Sequence, residues 1–151
     1  MILYRVSNHA DLLGKGGELV DGRWHTRAPG RRIVYLADHP ALCLLETLVH
    51  FEREQDMPDT YQLMSVDIPD NLIEELDQTV LSADWKSDLA LTQRIGNDWL
   101  SESQQGTRKP AILVPSVIVP VGHNCLLNPL ATEHRITMTV LGHFPFDRRL
   151  S

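Results

Sequence analysis

Apolar residues recur every three or four positions after residue 38, which is the spacing of one face of a helix. Asp38 precedes this stripe as a suitable N-cap, and Pro40 falls in the first turn, where a helix tolerates proline. The pattern predicts a helix from about residue 40 to about Phe51. The apolar stripe consists of Ala41, Leu44, Leu45, Leu48 and Val49.

Shorter apolar or alternating segments predict the strands. These segments are residues 3–6, 33–36, 61–68 and 136–140, of which the last alternates with threonine. Residues 111–114 and 117–119 flank Pro115-Ser116 and predict one strand with an irregularity at the proline, which cannot donate a ladder hydrogen bond. Residues 71–102 have a mixed pattern, with a helix predicted at about 89–100.

Strands and helices are interspersed along the chain without regular βαβ alternation. We therefore predict an α+β fold with a central mixed or mainly antiparallel sheet and flanking helices. The chain has 151 residues, which is the size of one domain, and no repeat or long linker divides it. A single domain over residues 1–151 is expected.

The composition is ordinary for a globular protein, with 42% hydrophobic and 23% charged residues. No run approaches the about 20 apolar residues of a membrane span, and the N-terminus lacks the long apolar region of a secretory signal. These features predict a cytoplasmic protein without membrane association. Cys43 and Cys125 fit no metal or disulfide framework and are expected as reduced thiols in the core. The net charge of -6 argues against direct binding to nucleic acid.

A cluster of positive charge nevertheless lies within this acidic chain. Residues 22–35 contain four of its 14 lysines and arginines, and Trp24 and the flanking glycines indicate a shaped loop. Guanidinium groups match phosphate oxygens in bidentate geometry. The loop therefore predicts a specific phosphate-bearing ligand, with solvated surface charge as the alternative. The four residues are Arg23, Arg27, Arg31 and Arg32.

Glu46 is a carboxylate in the mostly apolar helical segment, four residues before His50 and on the same helix face. A partly buried charge needs a partner or a function, because removing it from water is costly. Taken alone, a helix-surface pair with His50 is the simplest interpretation. A metal site that combines His39 with these two residues lacks a recognised ligand motif, so no metal is expected. Ser116 lacks the flanking glycines of a nucleophile elbow, which argues against a serine hydrolase.

Several short blocks of the sequence form an ordered set that covers nearly the whole chain. The first half carries Tyr4-Arg5, Gly22-Arg23-Trp24, Val34-Tyr35-Leu36-Ala37 and Leu44-Leu45-Glu46-Thr47-Leu48-Val49-His50. The second half carries Val66-Asp67-Ile68-Pro69, Gly96-Asn97-Asp98-Trp99-Leu100, Val114-Pro115-Ser116, Leu127-Asn128-Pro129 and Phe146-Asp147-Arg148-Arg149-Leu150. Each block is weak alone, but together they resemble the RES domain family.

The resemblance implies a fold similar to that of ADP-ribosyltransferases and an activity on NAD+. RES proteins are toxins of bacterial type II toxin–antitoxin pairs, partnered by an antitoxin with an Xre-like helix-turn-helix. DNA binding would then come only through the antitoxin. Known members degrade NAD+ by hydrolysis or phosphorolysis, and at least some transfer ADP-ribose to a protein. The resemblance thus implies a toxin that arrests growth by consuming NAD+ as its substrate.

The resemblance also implies a set of site residues. The family name denotes an arginine, a glutamate and a serine, which correspond here to Arg23, Glu46 and Ser116 as catalytic residues. The residues implied to bind NAD+ are Arg5, Arg23, Tyr35, Ser116 and Asn128. This chain departs from the family pattern at two places. His25 follows the Arg-Trp pair, where the family often has asparagine, and Leu130-Ala131 replaces the usual histidine after Asn-Pro-x.

The chemistry of the residues agrees with these roles. Cleavage of the nicotinamide–ribose bond develops positive charge on the ribose, which a carboxylate such as Glu46 stabilises. Arg23, with Arg5, would hold the pyrophosphate, Tyr35 would stack on nicotinamide, and Ser116 would bond the ribose or a phosphate. Two alternatives remain: a mono-ADP-ribosyltransferase that modifies a specific protein, and a non-catalytic module in which Arg23-Trp24 belongs to a protein interface.

Overall fold

The computed structural model describes residues 1–50, 59–131 and 135–144, together with residues 147 and 149. Within these residues the chain forms seven strands and two α-helices, which confirms the predicted α+β class. The strands are β1 (Ile2–Ser7), β2 (Val34–Ala37), β3 (Gln62–Asp67), β4 (Ile73–Glu75), β5 (Ala111–Pro115), β6 (His123–Leu127) and β7 (Thr137–His143). The helices are α1 (Pro40–Leu48) and α2 (Leu89–Gln104). Neither described helix is long and apolar enough to cross a membrane.

All seven strands belong to one sheet in the order β4-β5-β6-β2-β1-β3-β7. Every neighbouring pair is antiparallel except β4 and β5, so the sheet is mixed, as predicted. β1 pairs with β3 over six residues but meets β2 at one described pair, Tyr4 with Ala37. The sheet therefore consists of two halves that diverge beyond this pair. Arg5 on β1 and Tyr35 on β2 both lie on the same side of this pair along the strands, where no further pairing of β1 with β2 is described.

The two faces of the sheet carry different parts of the core, because side chains alternate along each strand. One face holds an apolar cluster that includes Leu3, Val34 and Leu127. The opposite face is covered by the helices. Under α2 and the arginine loop lies a cluster that includes Trp24 and Trp99, and under α1 lies a smaller one. The members of the smaller cluster are Val6, Ala37, Leu42 and Cys43.

Helix α1 begins one residue later than its predicted cap. His39 is the N-cap, since its Nδ1 accepts a hydrogen bond from the Ala41 amide at 3.1 Å. The prediction of Asp38 as N-cap is wrong, because its Oδ2 accepts a hydrogen bond from the His123 amide instead. The helix ends at Leu48, and Phe51, the predicted end, lies outside the described residues. So do Phe146, Arg148 and Leu150 of the last block of the family resemblance.

The second half of the chain differs from the prediction at two places. Residues 117–119 do not continue the strand past Pro115, because a turn follows in which the Ser116 amide donates to the Gly122 carbonyl at 3.0 Å. The strands β4 and β6 were not predicted. β4 is short and begins with one apolar residue, and β6 begins with polar residues, so neither shows a clear alternating pattern.

Candidate active site

Glu46 lies on the second turn of α1 and contacts two segments from the second half of the chain. Its Oε1 accepts hydrogen bonds from Ser116 Oγ at 3.0 Å and from Asn124 Nδ2 at 2.8 Å. No described residue donates a hydrogen bond to Oε2. Among the described residues, the carboxylate is thus held through one of its two oxygens. We call Glu46, Ser116 and Asn124 the glutamate cluster.

The expected surface pair of Glu46 with His50 is wrong. His50 follows the end of α1 and is exposed, and within the described residues no hydrogen bond or ion pair joins it to Glu46. The carboxylate turns toward the sheet instead, where uncharged donors bind it. No group of three or more metal-ligating side chains occurs in the described part of the chain.

Ser116 is 2% exposed and its hydroxyl is fully engaged. Oγ accepts hydrogen bonds from the amides of Ile118 and Val119, both at 3.1 Å, and donates to Glu46. The amides fix the position of the hydroxyl, and its single proton then has one acceptor. This geometry makes Ser116 an orienting group for the carboxylate rather than a free nucleophile.

Asn124 is a residue that the sequence reasoning missed. It is the second residue of β6, an inner strand, and pairs with Ala37 of β2 and Val114 of β5. The sequence did carry one indication of its role, a polar amide directly before the apolar run Cys125-Leu126-Leu127. A polar side chain in an inner strand needs a hydrogen-bond partner. The strand register therefore delivers Asn124 to the carboxylate.

The arginine loop, residues 22–32, is held against α2. Thr92 Oγ1 donates to the Arg23 carbonyl at 2.7 Å, and Gln93 Nε2 donates to the Gly22 carbonyl at 3.0 Å. A Cβ on Gly96 would overlap the Trp24 carbonyl, so glycine is required for this close approach. The Trp24 side chain is 1% exposed and anchors the loop in the core beneath α2.

Three of the four arginine side chains bind a neighbouring residue. Arg23 donates to the Lys86 carbonyl at 3.0 Å, and Arg31 donates to the carbonyl and, at 2.9 Å, to the hydroxyl of Thr26. Arg32 forms an ion pair of 3.6 Å with Glu18, whereas Arg27 is exposed. Arg23 also lies within electrostatic range of Tyr35.

Tyr35 is tied to the loop by its hydroxyl group. Its Oη lies 2.7 Å from His25 Nδ1 and accepts the Trp24 amide at 3.1 Å. Burial raises the pKa of Tyr35, and the Trp24 amide and Arg23 oppose this shift. The phenol is therefore not ionised at neutral pH. We call Tyr35, His25 and Trp24 the tyrosine cluster.

The two clusters occupy neighbouring positions on one face of the sheet. Tyr35 pairs with Leu126, and Ala37 pairs with Asn124, so Tyr35 and Asn124 are diagonal neighbours across β2 and β6. Such neighbours are separated by roughly 7–8 Å. The register of these strands thus places the tyrosine ring beside the donor that holds Glu46.

Arg5 approaches the same region from β1. It donates to the Asp11 carbonyl, and burial lowers the pKa of its guanidinium while Asp11 and Cys43 oppose this shift. Burial also raises the pKa of Cys43 to about 12, with Arg5 lowering it and Glu46 raising it. Cys43 is therefore within electrostatic range of both charged residues. Both cysteines are free and buried, as expected for reduced core thiols.

Asn128 is not brought together with these groups. It follows β6 at the end opposite Asn124 and is 1% exposed. Its amide donates to the Leu100 carbonyl at 3.0 Å and to Ser103 Oγ at 2.9 Å, and its Oδ1 accepts the Leu130 amide. The structure uses Asn128 to pack the end of α2 against the sheet.

Comparison with known proteins agrees with the fold. The chain matches the RES domain over residues 2–149. A protein named Toxin Res from Pseudomonas putida is 37% identical, with 99% of each chain covered. Another Toxin Res, from Photorhabdus laumondii, is 37% identical over 99% of this chain and 97% of its own. A Prs ADP-ribosylating toxin from Sphingobium is 34% identical over 79% of this chain and 73% of its own, consistent with the ADP-ribosyltransferase-like fold.

Proposed function

Because the chain belongs to the RES domain family, we propose that it is the toxin of a toxin–antitoxin pair and cleaves the nicotinamide–ribose bond of NAD+. The observation that carries this proposal is the state of Glu46. Ser116 and Asn124 both donate to Oε1, and no residue in the described part of the chain donates to Oε2, the oxygen proposed to meet the substrate. The names of the two Toxin Res relatives support the toxin assignment.

The proposed reaction breaks the bond between the ribose C1′ and the nicotinamide nitrogen. The electron pair of that bond leaves with nicotinamide, which departs as a neutral molecule, so no acid is required. The ribose becomes cationic in the transition state, as in glycoside hydrolysis. Glu46 stabilises this charge and accepts a hydrogen bond from a ribose hydroxyl through Oε2. Water or inorganic phosphate then adds to C1′ and loses a proton to solvent.

The remaining residues bind and orient NAD+. Arg23, supported by Arg5 of β1, binds the pyrophosphate with its guanidinium group. Tyr35 offers its partly exposed ring to the nicotinamide. Ser116 and Asn124 act through Glu46 and hold its carboxylate in one orientation. NAD+ is the substrate, and no step in this scheme requires a metal.

The test is to incubate the purified protein with NAD+, with and without inorganic phosphate, and to identify the products by chromatography. We expect free nicotinamide together with ADP-ribose, or with ADP-ribose 1″-phosphate where phosphate is the acceptor. Intact NAD+ after incubation with a folded protein would overturn the proposal. The Glu46→Gln variant, prepared in parallel, controls for contaminating enzymes.

A second candidate function is the transfer of ADP-ribose to a specific protein. The relative named Prs ADP-ribosylating toxin favours it. The same bond of NAD+ breaks, but a protein side chain replaces water as the acceptor. Incubation of a bacterial lysate with labelled NAD+ distinguishes the two functions. Transfer yields a labelled protein that mass spectrometry identifies, whereas hydrolysis yields label only in small molecules.

The proposed partner is an antitoxin with an Xre-like helix-turn-helix, and any contact with DNA is proposed to occur through it. Expression of this chain in a bacterium should arrest growth and lower NAD+, and co-expression of the antitoxin should restore both. A non-catalytic interaction module would leave NAD+ unchanged. The Glu46→Gln variant also separates the two, because it should lose toxicity but retain the ability to bind the antitoxin.

A further inference from the structure

Three groups at the base of the arginine loop form a chain of hydrogen bonds. His25 Nε2 lies 2.9 Å from the Val20 carbonyl, and His25 Nδ1 lies 2.7 Å from the Tyr35 hydroxyl. A carbonyl oxygen only accepts hydrogen bonds, so Nε2 must carry the proton. Nδ1 of the neutral ring is then the acceptor, and the Tyr35 hydroxyl donates to it.

This arrangement commits the hydroxyl of Tyr35 to the protein. It donates a hydrogen bond to His25 Nδ1 and accepts one from the Trp24 amide at 3.1 Å. The hydroxyl therefore has no proton to donate to a ligand, and its two partners restrain the orientation of the ring. The residue as a whole is partly exposed.

The local backbone makes room for this contact. A Cβ on Gly22 would overlap the Tyr35 hydroxyl and would lie 2.7 Å from His25 Nδ1. His25 itself is 3% exposed and cannot reach a ligand without leaving its pocket. The Gly22 carbonyl is held by Gln93 of α2 at 3.0 Å, so the space is maintained by the helix.

We infer that His25 is a positioning residue: its neutral imidazole accepts a hydrogen bond from the Tyr35 hydroxyl and so fixes the ring that receives the nicotinamide of NAD+. This inference rests on the proposed cleavage of NAD+. It adds His25 to the site as a residue that does not itself contact the substrate. His25 sets the affinity for NAD+ through Tyr35, whereas the glutamate cluster sets the rate of bond cleavage.

Protonation of His25 would break this arrangement. A second proton on Nδ1 turns the acceptor of the Tyr35 hydroxyl into a donor. Burial lowers the pKa of His25, as does Arg31, whereas the backbone of Val20, Asp21 and the backbone of Gly17 oppose this shift. Arg31 belongs to the arginine loop and Asp21 directly precedes it. The side chains of α2 that bind the loop are the uncharged Thr92, Gln93 and Asn97. The affinity for NAD+ should therefore fall at acidic pH, below the usual pKa range of histidine.

The test measures KM and kcat for NAD+ between about pH 5 and about pH 8. His25→Ala should raise KM about three- to ten-fold at neutral pH, the effect of one lost hydrogen bond, with little change in kcat. His25→Asn should keep most of the affinity, because an amide oxygen replaces Nδ1 as the acceptor. It should also lack the loss of affinity at acidic pH.

The decisive comparison is the double variant with Tyr35→Phe. If His25 acts through the hydroxyl, adding His25→Ala to Tyr35→Phe should produce no further increase in KM. Additive increases, or a fall in kcat instead of a rise in KM, would overturn the inference. Both outcomes assume that the wild-type protein consumes NAD+. If the wild type does not consume NAD+, the proposed function is refuted instead.

A measurement without NAD+ tests the same contact. Nitrogen NMR of the histidine ring should show His25 in the form protonated on Nε2 alone, and the Nδ1 signal should shift in Tyr35→Phe. A ring protonated on Nδ1 at neutral pH contradicts the inference even if no variant is active. Circular dichroism of each variant establishes that it is folded.

Discussion

The glutamate cluster and the tyrosine cluster lie side by side on the sheet but are assembled in different ways. Ser116 and Asn124 are 70 and 78 residues from Glu46 in the sequence. The carboxylate is therefore held only when α1 packs on the sheet and β5 and β6 pair in the observed register. Trp24 and His25 are 11 and 10 residues from Tyr35, and α2 holds their loop. We expect changes in the first region to lower kcat and changes in the second to raise KM.

The largest effect is expected from Glu46→Gln, which isolates the role of Oε2. The glutamine carbonyl oxygen still accepts from Ser116 and Asn124, while an NH2 group replaces the free oxygen. Loss of the negative charge beside the ribose should lower kcat by about 100-fold or more. The thermal midpoint should stay near that of the wild type. Substantial turnover by this variant would show that the carboxylate is structural.

Asn124→Ala is expected to come next, because it removes one of the two donors to the carboxylate. A hydrogen bond to a charged group contributes about 1.5–3 kcal/mol, so kcat should fall roughly ten- to hundred-fold with a smaller change in KM. Steady-state kinetics measure both. An unchanged kcat would mean that Ser116 alone orients Glu46.

Asn124→Asp sharpens this prediction with almost no change in shape. Its carboxyl group lies within hydrogen-bonding distance of Glu46, and two carboxylates so close share a proton. The variant should work at acidic pH, where the shared proton replaces the amide donor, and should lose kcat as pH rises. Wild type, with an asparagine that does not titrate, should lack this alkaline loss. Identical pH profiles would contradict the contact.

The sequence indicated Glu46 and Ser116 but not the contact between them. The helical stripe predicted α1 and hence the face that carries Glu46. Asn124 was missed because β6 was missed, and a hydrogen bond across 78 residues depends on strand register that periodicity does not encode. For Asn128, the block that resembles the family does not reveal that its amide donates to the end of α2. The partners of the loop arginines also required the structure, because Arg23 and Arg31 bind backbone carbonyls, which the sequence pattern does not indicate.

Within the arginine loop, Arg23→Ala should raise the KM for NAD+ about tenfold or more, because it removes a charge-assisted hydrogen bond to phosphate. Arg27→Ala is the matched control, because Arg27 carries the same charge on the same loop and is exposed. Its KM should stay close to that of the wild type. Equal changes in both variants would show that the loop acts by its total charge rather than through one arginine.

Gly96→Ala tests whether α2 holds the loop. The added methyl group overlaps the Trp24 carbonyl, so the loop must shift away from the helix. We expect a loss of about 1–3 kcal/mol in the free energy of unfolding and a higher KM for NAD+. Ser101→Ala, an exposed change on the same helix, is the control. A raised KM with an unchanged kcat would confirm that the two clusters are separable.

The smallest expected effect is on stability at acidic pH, and it involves the tyrosine cluster alone. Burial lowers the pKa of His25 in the folded state, whereas an unfolded histidine has a pKa near about 6.5. The unfolded chain therefore binds more protons below that pH, so stability is complete above about pH 6.5 and is lost as pH falls through the folded pKa. The thermal midpoint of the wild type should decrease between about pH 7 and about pH 5 more steeply than that of His25→Asn.

His9→Asn, a change at an exposed histidine, should keep the wild-type slope. Equal slopes for wild type and His25→Asn would show that the fold does not hold the imidazole neutral, and the Tyr35 hydroxyl would then lack the acceptor that restrains its ring.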